Sequence, residues 1–425
     1  MICRLRLCLA VGLGLVFCSL LAFPARAYSV LSHQANIDSA WVPCLRPALE
    51  RRFPGATPAE LREAKAYAYG GSIIQDMGYY PFGSKLFTDL AHYVRSGDFV
   101  ENLLREAHDR NEYAFALGAL AHYAADIHGH EMGINRSVPL LFPELKAKYG
   151  PVVTYEQDPI AHGRTEFAFD VVQLAAGRYR TDAYHDFIGF QVSKAVLERA
   201  FARTYGLDLN KIVLNLDLTI GSYRFAVRNL IPLASRAAWR ANRHELRKVN
   251  RRIRRRDYVY KESKPRFEQE FGRHYERPGF GARIIAGIIR VLPKVGKLRS
   301  LKFIAPSREA QALFRQSFQE TVASYCQLLE SQTPEPGQAS QLPNTDFDTG
   351  FLTKLGEYPL ADRTYGEWLR DLAKDDFKEV TAPMQQNILR FFANPGAQPL
   401  DEDEQEKDNR AKTAEALTRL QALHL

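Results

Sequence analysis

This 425-residue sequence lacks the glycine signatures of nucleotide enzymes. It has no Walker A loop and no Rossmann glycine pattern, and no G-x-S-x-G places a nucleophilic serine. No hairpin signal and no alternation of strand with helix patterns appears, which argues against a sheet-based fold. No internal repeat is present. Hydrophobic residues at 46% and charged residues at 25% exclude wholesale disorder, collagen, coiled-coil arrays and a multi-span membrane protein. Cysteine is scarce. Of five, Cys3, Cys8 and Cys18 fall in the first 27 residues, leaving Cys44 and Cys326. Two cysteines in an exported chain allow one disulfide without showing that they meet.

What is present begins with an address. Met1 to Ala27 reads as a secretory signal: Arg4 and Arg6 form a positive start, Leu7 to Phe23 is apolar, and Ala25-Arg26-Ala27 is an A-x-A cleavage site. The expected mature protein is secreted or periplasmic and starts at Tyr28. The net charge of +8 is local in origin. Arg240 to Lys302 holds 20 Lys+Arg against 6 Asp+Glu, including the run RRIRRR at Arg251 to Arg256. The rest of the mature chain is mildly acidic. Within this basic insert (240–305), Phe280 to Ile304 mixes isoleucines with Arg and Lys, a pattern suited to an anionic membrane surface. Nucleic acid attracts such clusters equally.

Helical patterns dominate. Ala59 to Tyr69 is rich in helix formers. Asn111 to His128 is apolar almost all round and is expected to be a buried helix. Asp158-Pro159 is a helix start, with a capping carboxylate and proline at the first helical position. Further helices are expected in Arg180 to Tyr205 and Leu207 to Ala241, and again from Pro306 to about Glu330. Ser331 to Thr345 reads as a polar linker before a small helical tail. The expected division is 1–27 signal, 28–239 helical domain, 240–305 basic insert and 306–425 helical extension.

The chemistry lies in the histidines. Seven of eleven fall before residue 163. His122, Asp126 and His130 stand at i, i+4 and i+8, which spreads them over roughly 80° of one helix face. His162 and Glu166 form a second i, i+4 pair, and imidazole with carboxylate at that spacing can hold a metal ion. Asp76 and His92 lie earlier in apolar stretches. Burying so many ionisable groups without a compensating charge costs several kcal/mol each. Cleavage after Ala27 would place the free amine of Tyr28 five residues before His33, and a deprotonated amine can ligate a metal with its own carbonyl.

In this order the residues resemble the zinc-dependent phospholipase C family, whose all-helical trinuclear zinc fold is shared with the S1/P1-type nucleases. The resemblance covers about Tyr28 to Val172. It implies an all-α domain with additional C-terminal helices and about three Zn2+ per chain. Tyr28 and His33 would hold one ion. Asp76, His92 and His122 would hold the next, with Asp126 bridging. His130, His162 and Glu166 would hold the third, with His128 a rival for the His130 position. Asp126 and Asp76 would be the carboxylates through which the metals act on a phosphodiester, by way of zinc-activated water. The implied substrate is a phospholipid head group. A single-strand nuclease and a non-catalytic, zinc-stabilised membrane-binding protein are the alternatives, and open coordination would separate catalytic from structural zinc.

Overall fold

The computed structural model describes residues 30–79, 82–175, 190–213, 215–225, 244, 247, 304–331, 342–393 and 404–424. The signal segment, Tyr28 and the basic insert lie outside the described residues, apart from His244, Arg247, Ile304 and Ala305 of the insert. The described residues form helices α1 (Val30–Ala40), α2 (Arg46–Arg52), α3 (Pro58–Gly71), α4 (Lys85–Tyr93), α5 (Ser96–Arg105), α6 (Arg110–His128), α7 (Asn135–Leu141), α8 (Pro143–Tyr149), α9 (Pro159–Ala175), α10 (Lys194–Tyr205), α11 (Leu209–Ile212), α12 (Leu216–Phe225), α13 (Arg308–Ser331), α14 (Pro359–Lys374), α15 (Ala382–Phe392) and α16 (Glu404–Gln421). No strand occurs among them; the one β-type pairing is an isolated antiparallel bridge between Thr345 and Leu352. The fold is all-α. No helix among the described residues is long and apolar enough to cross a membrane.

Local chemistry sets the helix starts. Thr57 and Glu60 form a reciprocal capping box on α3, with Pro58 at its first position. Asp109 caps α6 by accepting from the backbone N–H groups of Asn111 and Glu112. Asp158 accepts from Ala161 N–H at 2.8 Å and so caps α9 ahead of Pro159. The π-helical segment Trp41–Leu45 joins α1 to α2, and a second, Gly129–Ile134, joins α6 to α7.

Helix α6 is buried along nearly its whole length and runs through the centre. It crosses α3 at backbone contact: a Cβ on Gly118 would lie 2.1 Å from the Ala68 carbonyl oxygen and 2.9 Å from Gly71 Cα. Gly118→Ala is therefore expected to destabilise the fold by about 1–3 kcal/mol, even though alanine is the better helix former. An unchanged denaturant midpoint would show that the crossing can open without loss.

The extension is not a separate body. Tyr325, Leu342, Phe347, Tyr358, Leu369, Ile388 and Leu420 share one hydrophobic core with α1 to α6. Cys44 and Cys326 are disulfide-bonded, joining the first π-helical segment to α13 across a sequence separation of 282. Residues 342–345, which composition reads as the end of a linker, are tied down instead. Ser96 Oγ donates to the Thr345 carbonyl at 2.6 Å, and Tyr123 OH donates to the Pro343 carbonyl at 2.8 Å. Gly97 lets the chain pass this close, since a Cβ there would meet the Leu342 and Pro343 carbonyl oxygens at 2.4 and 2.5 Å. A polar stretch can be ordered when its backbone finds partners, and composition does not register those partners.

Candidate metal centre

The site forms around the C-terminal end of α6. His122 Nδ1 donates to the Ser72 carbonyl at 2.9 Å, and His92 Nδ1 on α4 donates to the Thr88 carbonyl at 2.9 Å. Each bond fixes the tautomer and leaves the lone pair of a neutral ring on Nε2. Those two Nε2 atoms face each other at 3.3 Å. Two lone pairs aimed at one another repel unless a cation sits where they converge. Two carboxylates close the group. Asp126 Oδ2 is 3.1 Å from His122 Nε2 and 3.6 Å from His92 Nε2, and Asp76 Oδ1 is 3.4 Å from His92 Nε2.

Asp76 sits in a 3-10 turn (Gln75–Tyr79) held against α4, where Thr88 Oγ1 donates to the Gln75 carbonyl and accepts from Gly78 N–H. His33 on α1 stacks on His122 with ring centroids 4.2 Å apart, and its Nε2 is 3.4 Å from Asp126 Oδ1. All these side chains are buried. Burial disfavours a charged His122, yet Asp126, Asp76 and the Ser72 carbonyl carry its pKa above the ordinary histidine value. Burial also pushes Asp126 up, but the His122, His33 and His130 rings hold it below the usual carboxylate range. Asp126 is thus the anion on which both histidine groups converge.

The chain then changes pitch. The π-helical segment Gly129–Ile134 begins here, with His130 as its second residue, about 12 Å along the helix axis from His122. His130 meets a different set of partners: its ring lies 4.8 Å from His162, and its Nδ1 is 2.9 Å from Asp348 Oδ1. Asp348 lies on the ordered loop after residue 342. Its Oδ2 accepts from Tyr155 N–H at 2.8 Å and Tyr358 OH at 2.7 Å, and its carbonyl accepts from Asn135 Nδ2 at 2.7 Å. His162 Nε2 is 3.8 Å from Asp348 Oδ1, while Nδ1 on the other side of the ring is 2.7 Å from Glu166 Oε1.

Three buried groups therefore have metal-ligand composition: His33, His122 and Asp126; Asp76, His92 and His122; and His130, His162 and Asp348. Of the nine ligands the sequence suggests, seven fall in these groups. Tyr28 lies outside the described residues. Glu166 is bonded to the far nitrogen of His162. His128 is half-buried, and burial lowers its pKa, with Glu131 and Glu320 acting in the opposite direction. Asp348 was not legible as a site residue, because nothing in Asp346-Phe347-Asp348-Thr349-Gly350 has a ligand spacing; the acidic pair directly after the linker was the only signal.

The donors fit zinc, which takes imidazole nitrogen and carboxylate oxygen in sets of three or four. Asp126 Oδ1 is buried and accepts no hydrogen bond from a described residue. The family profile described as zinc dependent phospholipase C matches residues 37–211. That segment is similar to the zinc-dependent phospholipase C family. The match holds Asp76, His92, His122, Asp126, His130, His162 and Glu166, with His33 just before it and Asp348 beyond its end. No curated protein and no solved structure matches the chain.

The same charges set an acid limit for the metal-free protein. Burial, with the His130 ring adding to it, pushes His162 down to about 3. Burial raises Asp348, but the hydrogen bond and charge of His130 outweigh it and bring the carboxyl down to about 2. In the unfolded chain the histidine takes its proton near 6.5 and the aspartate near 3.9. Between pH 6.5 and 3 the unfolded state binds the extra histidine proton, so stability falls as pH falls. The Asp348 contribution is present above the unfolded value and is lost as pH drops toward 2, in the same direction. Chelator-treated protein is expected to lose on the order of 5 kcal/mol through His162 between pH 6.5 and 3. Denaturant midpoints across that range measure it, and a flat profile would remove His162 from the buried set.

Proposed function

We propose that this protein is a secreted zinc-dependent phospholipase C-type hydrolase that cleaves the phosphodiester of phospholipid head groups. The observation that carries the reading is that two buried donor groups share His122, with Asp126 of the first also 3.6 Å from His92 of the second, and that all their residues but His33 lie inside the family-matched segment. Zinc bound there would lower the pKa of a water toward neutrality and offset the charge that builds on the phosphoryl oxygens. The chain's own part is positional. The Ser72 and Thr88 carbonyls fix the tautomers of His122 and His92, so both Nε2 atoms present lone pairs. Asp126 supplies anionic charge between the groups, and Asp76 closes the far side. With His33, the free amine of Tyr28 would complete the ion nearest the N-terminus once cleavage near Ala27 exposes it.

Export agrees with the Cys44–Cys326 bond, since disulfides persist in oxidising compartments. The basic insert supports an anionic lipid surface as the place of action. The test is elemental analysis of the mature chain, followed by paired assays on phosphocholine-ester vesicles and single-stranded DNA. About three zinc per chain with head-group release is expected. Cleavage of DNA alone would replace the lipase reading with the nuclease one. Bound zinc without hydrolysis of either substrate would leave a structural metal protein.

A further inference from the structure

We propose that Asp348, from the loop that follows the family-matched segment, is the carboxylate ligand of the cation held by His130 and His162, and that Glu166 acts as the positioning residue for His162. This rests on the reading that the buried histidines bind metal, and it assigns the third donor set to a part of the chain outside residues 37–211.

The argument starts from the two nitrogens of His162. Nδ1 faces Glu166 Oε1 at 2.7 Å, and Nε2 faces Asn135 Oδ1 at 2.7 Å. A neutral imidazole has one N–H, so it can satisfy one of these acceptors and must turn a lone pair on the other. The orientation of Asn135 is fixed, because its Nδ2 donates to the Asp348 carbonyl at 2.7 Å. Turning the amide over would set its oxygen against that carbonyl instead. With the proton on Nδ1, Glu166 is satisfied and the Nε2 lone pair points toward Asn135, His130 and Asp348. Several electron-rich atoms then meet at one spot, which a cation resolves. A carboxylate that accepts from the far N–H of a ligating histidine is the standard outer partner in such sites. Glu166 has that place.

Asp348 is built for the inner place. Tyr155 N–H and Tyr358 OH hold its Oδ2, which fixes the carboxylate plane and leaves Oδ1 toward His130 Nδ1 at 2.9 Å and His162 Nε2 at 3.8 Å. Its side chain is fully buried. The loop around it is braced independently. Phe347 N–H donates to the His92 carbonyl at 3.0 Å, and Asp346 Oδ1 accepts from the N–H groups of Asp348 and Thr349. The extension thereby reaches both the His92 group and the His130–His162 group.

The experiment uses the full mature chain loaded with zinc alone. Metal per chain is measured for wild type, Asp348→Asn and Glu166→Gln, and zinc is located in wild-type crystals by anomalous scattering at its absorption edge. Asp348→Asn should lose one zinc per chain. Glu166→Gln should keep the full count at saturating zinc but release one ion to a competing chelator about 10- to 100-fold more readily. The anomalous peak should lie about 2.0–2.2 Å from Asp348 oxygen. A peak against Glu166 and away from Asp348, or full zinc in Asp348→Asn with one ion lost from Glu166→Gln, overturns the proposal while leaving the metal reading intact. Wild-type protein without any zinc overturns both. The crystal location needs no variant to fold, so it decides the matter even where Asp348→Asn is unstable.

Discussion

Replacing Asp126 with Asn is expected to reduce hydrolysis by at least about 100-fold, in the range seen when one preorganised charge-stabilising group is removed. The substitution is nearly isosteric, so the fold is kept and the charge is lost. Among the described residues Asp126 is the one carboxylate within 3.6 Å of three histidine nitrogens, at 3.4 Å from His33, 3.1 Å from His122 and 3.6 Å from His92. A neutral amide there weakens both donor groups that the aspartate joins, so zinc content should fall together with activity. His128→Ala is the control. That ring is half-buried and belongs to none of the three donor groups, so metal content and turnover should stay near wild type. Loss of zinc from His128→Ala, with Asp126→Asn unaffected, would place the reactive centre elsewhere.

Opening the Cys44–Cys326 bond is the second large effect. The bond closes a loop with a sequence separation of 282, and the chain-entropy account gives a stabilisation of about 5 kcal/mol for so long a loop. The functional consequence follows from what it ties together. Helix α13 packs on the π-helical segment that carries His130, where a Cβ on Gly133 would come within 2.6 Å of Ser317 Oγ. At its other end the bond holds the segment that follows α1, the helix of His33. Paired Cys44→Ser and Cys326→Ser substitutions should lower the guanidinium midpoint clearly, and the wild type in reductant should match them. A midpoint unchanged by reduction would show that core packing alone fixes α13.

Much of this protein is set by the sequence itself. The all-α class follows from helix-period patterns with no strand signal, and the starts of α3 and α9 follow from Thr57, Glu60, Asp158 and the prolines behind them, because capping is local chemistry. His122 with Asp126 and His162 with Glu166 are legible because i, i+4 spacing is a property of the helix. The tertiary structure decided the rest. His130 stands in a π-helical segment, Gly129–Ile134, a change of pitch that residue spacing alone does not announce. The meeting of Cys44 with Cys326 depends on how α13 lies against the start of the chain. Asp348 enters the site because partners distant in sequence hold it: Tyr155 and Asn135 bond Asp348 itself, and Ser96 bonds Thr345 at the end of the stretch that composition reads as linker. Local patterns fix what each segment is; contacts between residues far apart in the sequence fix which segments share a site, and those leave no period in the sequence.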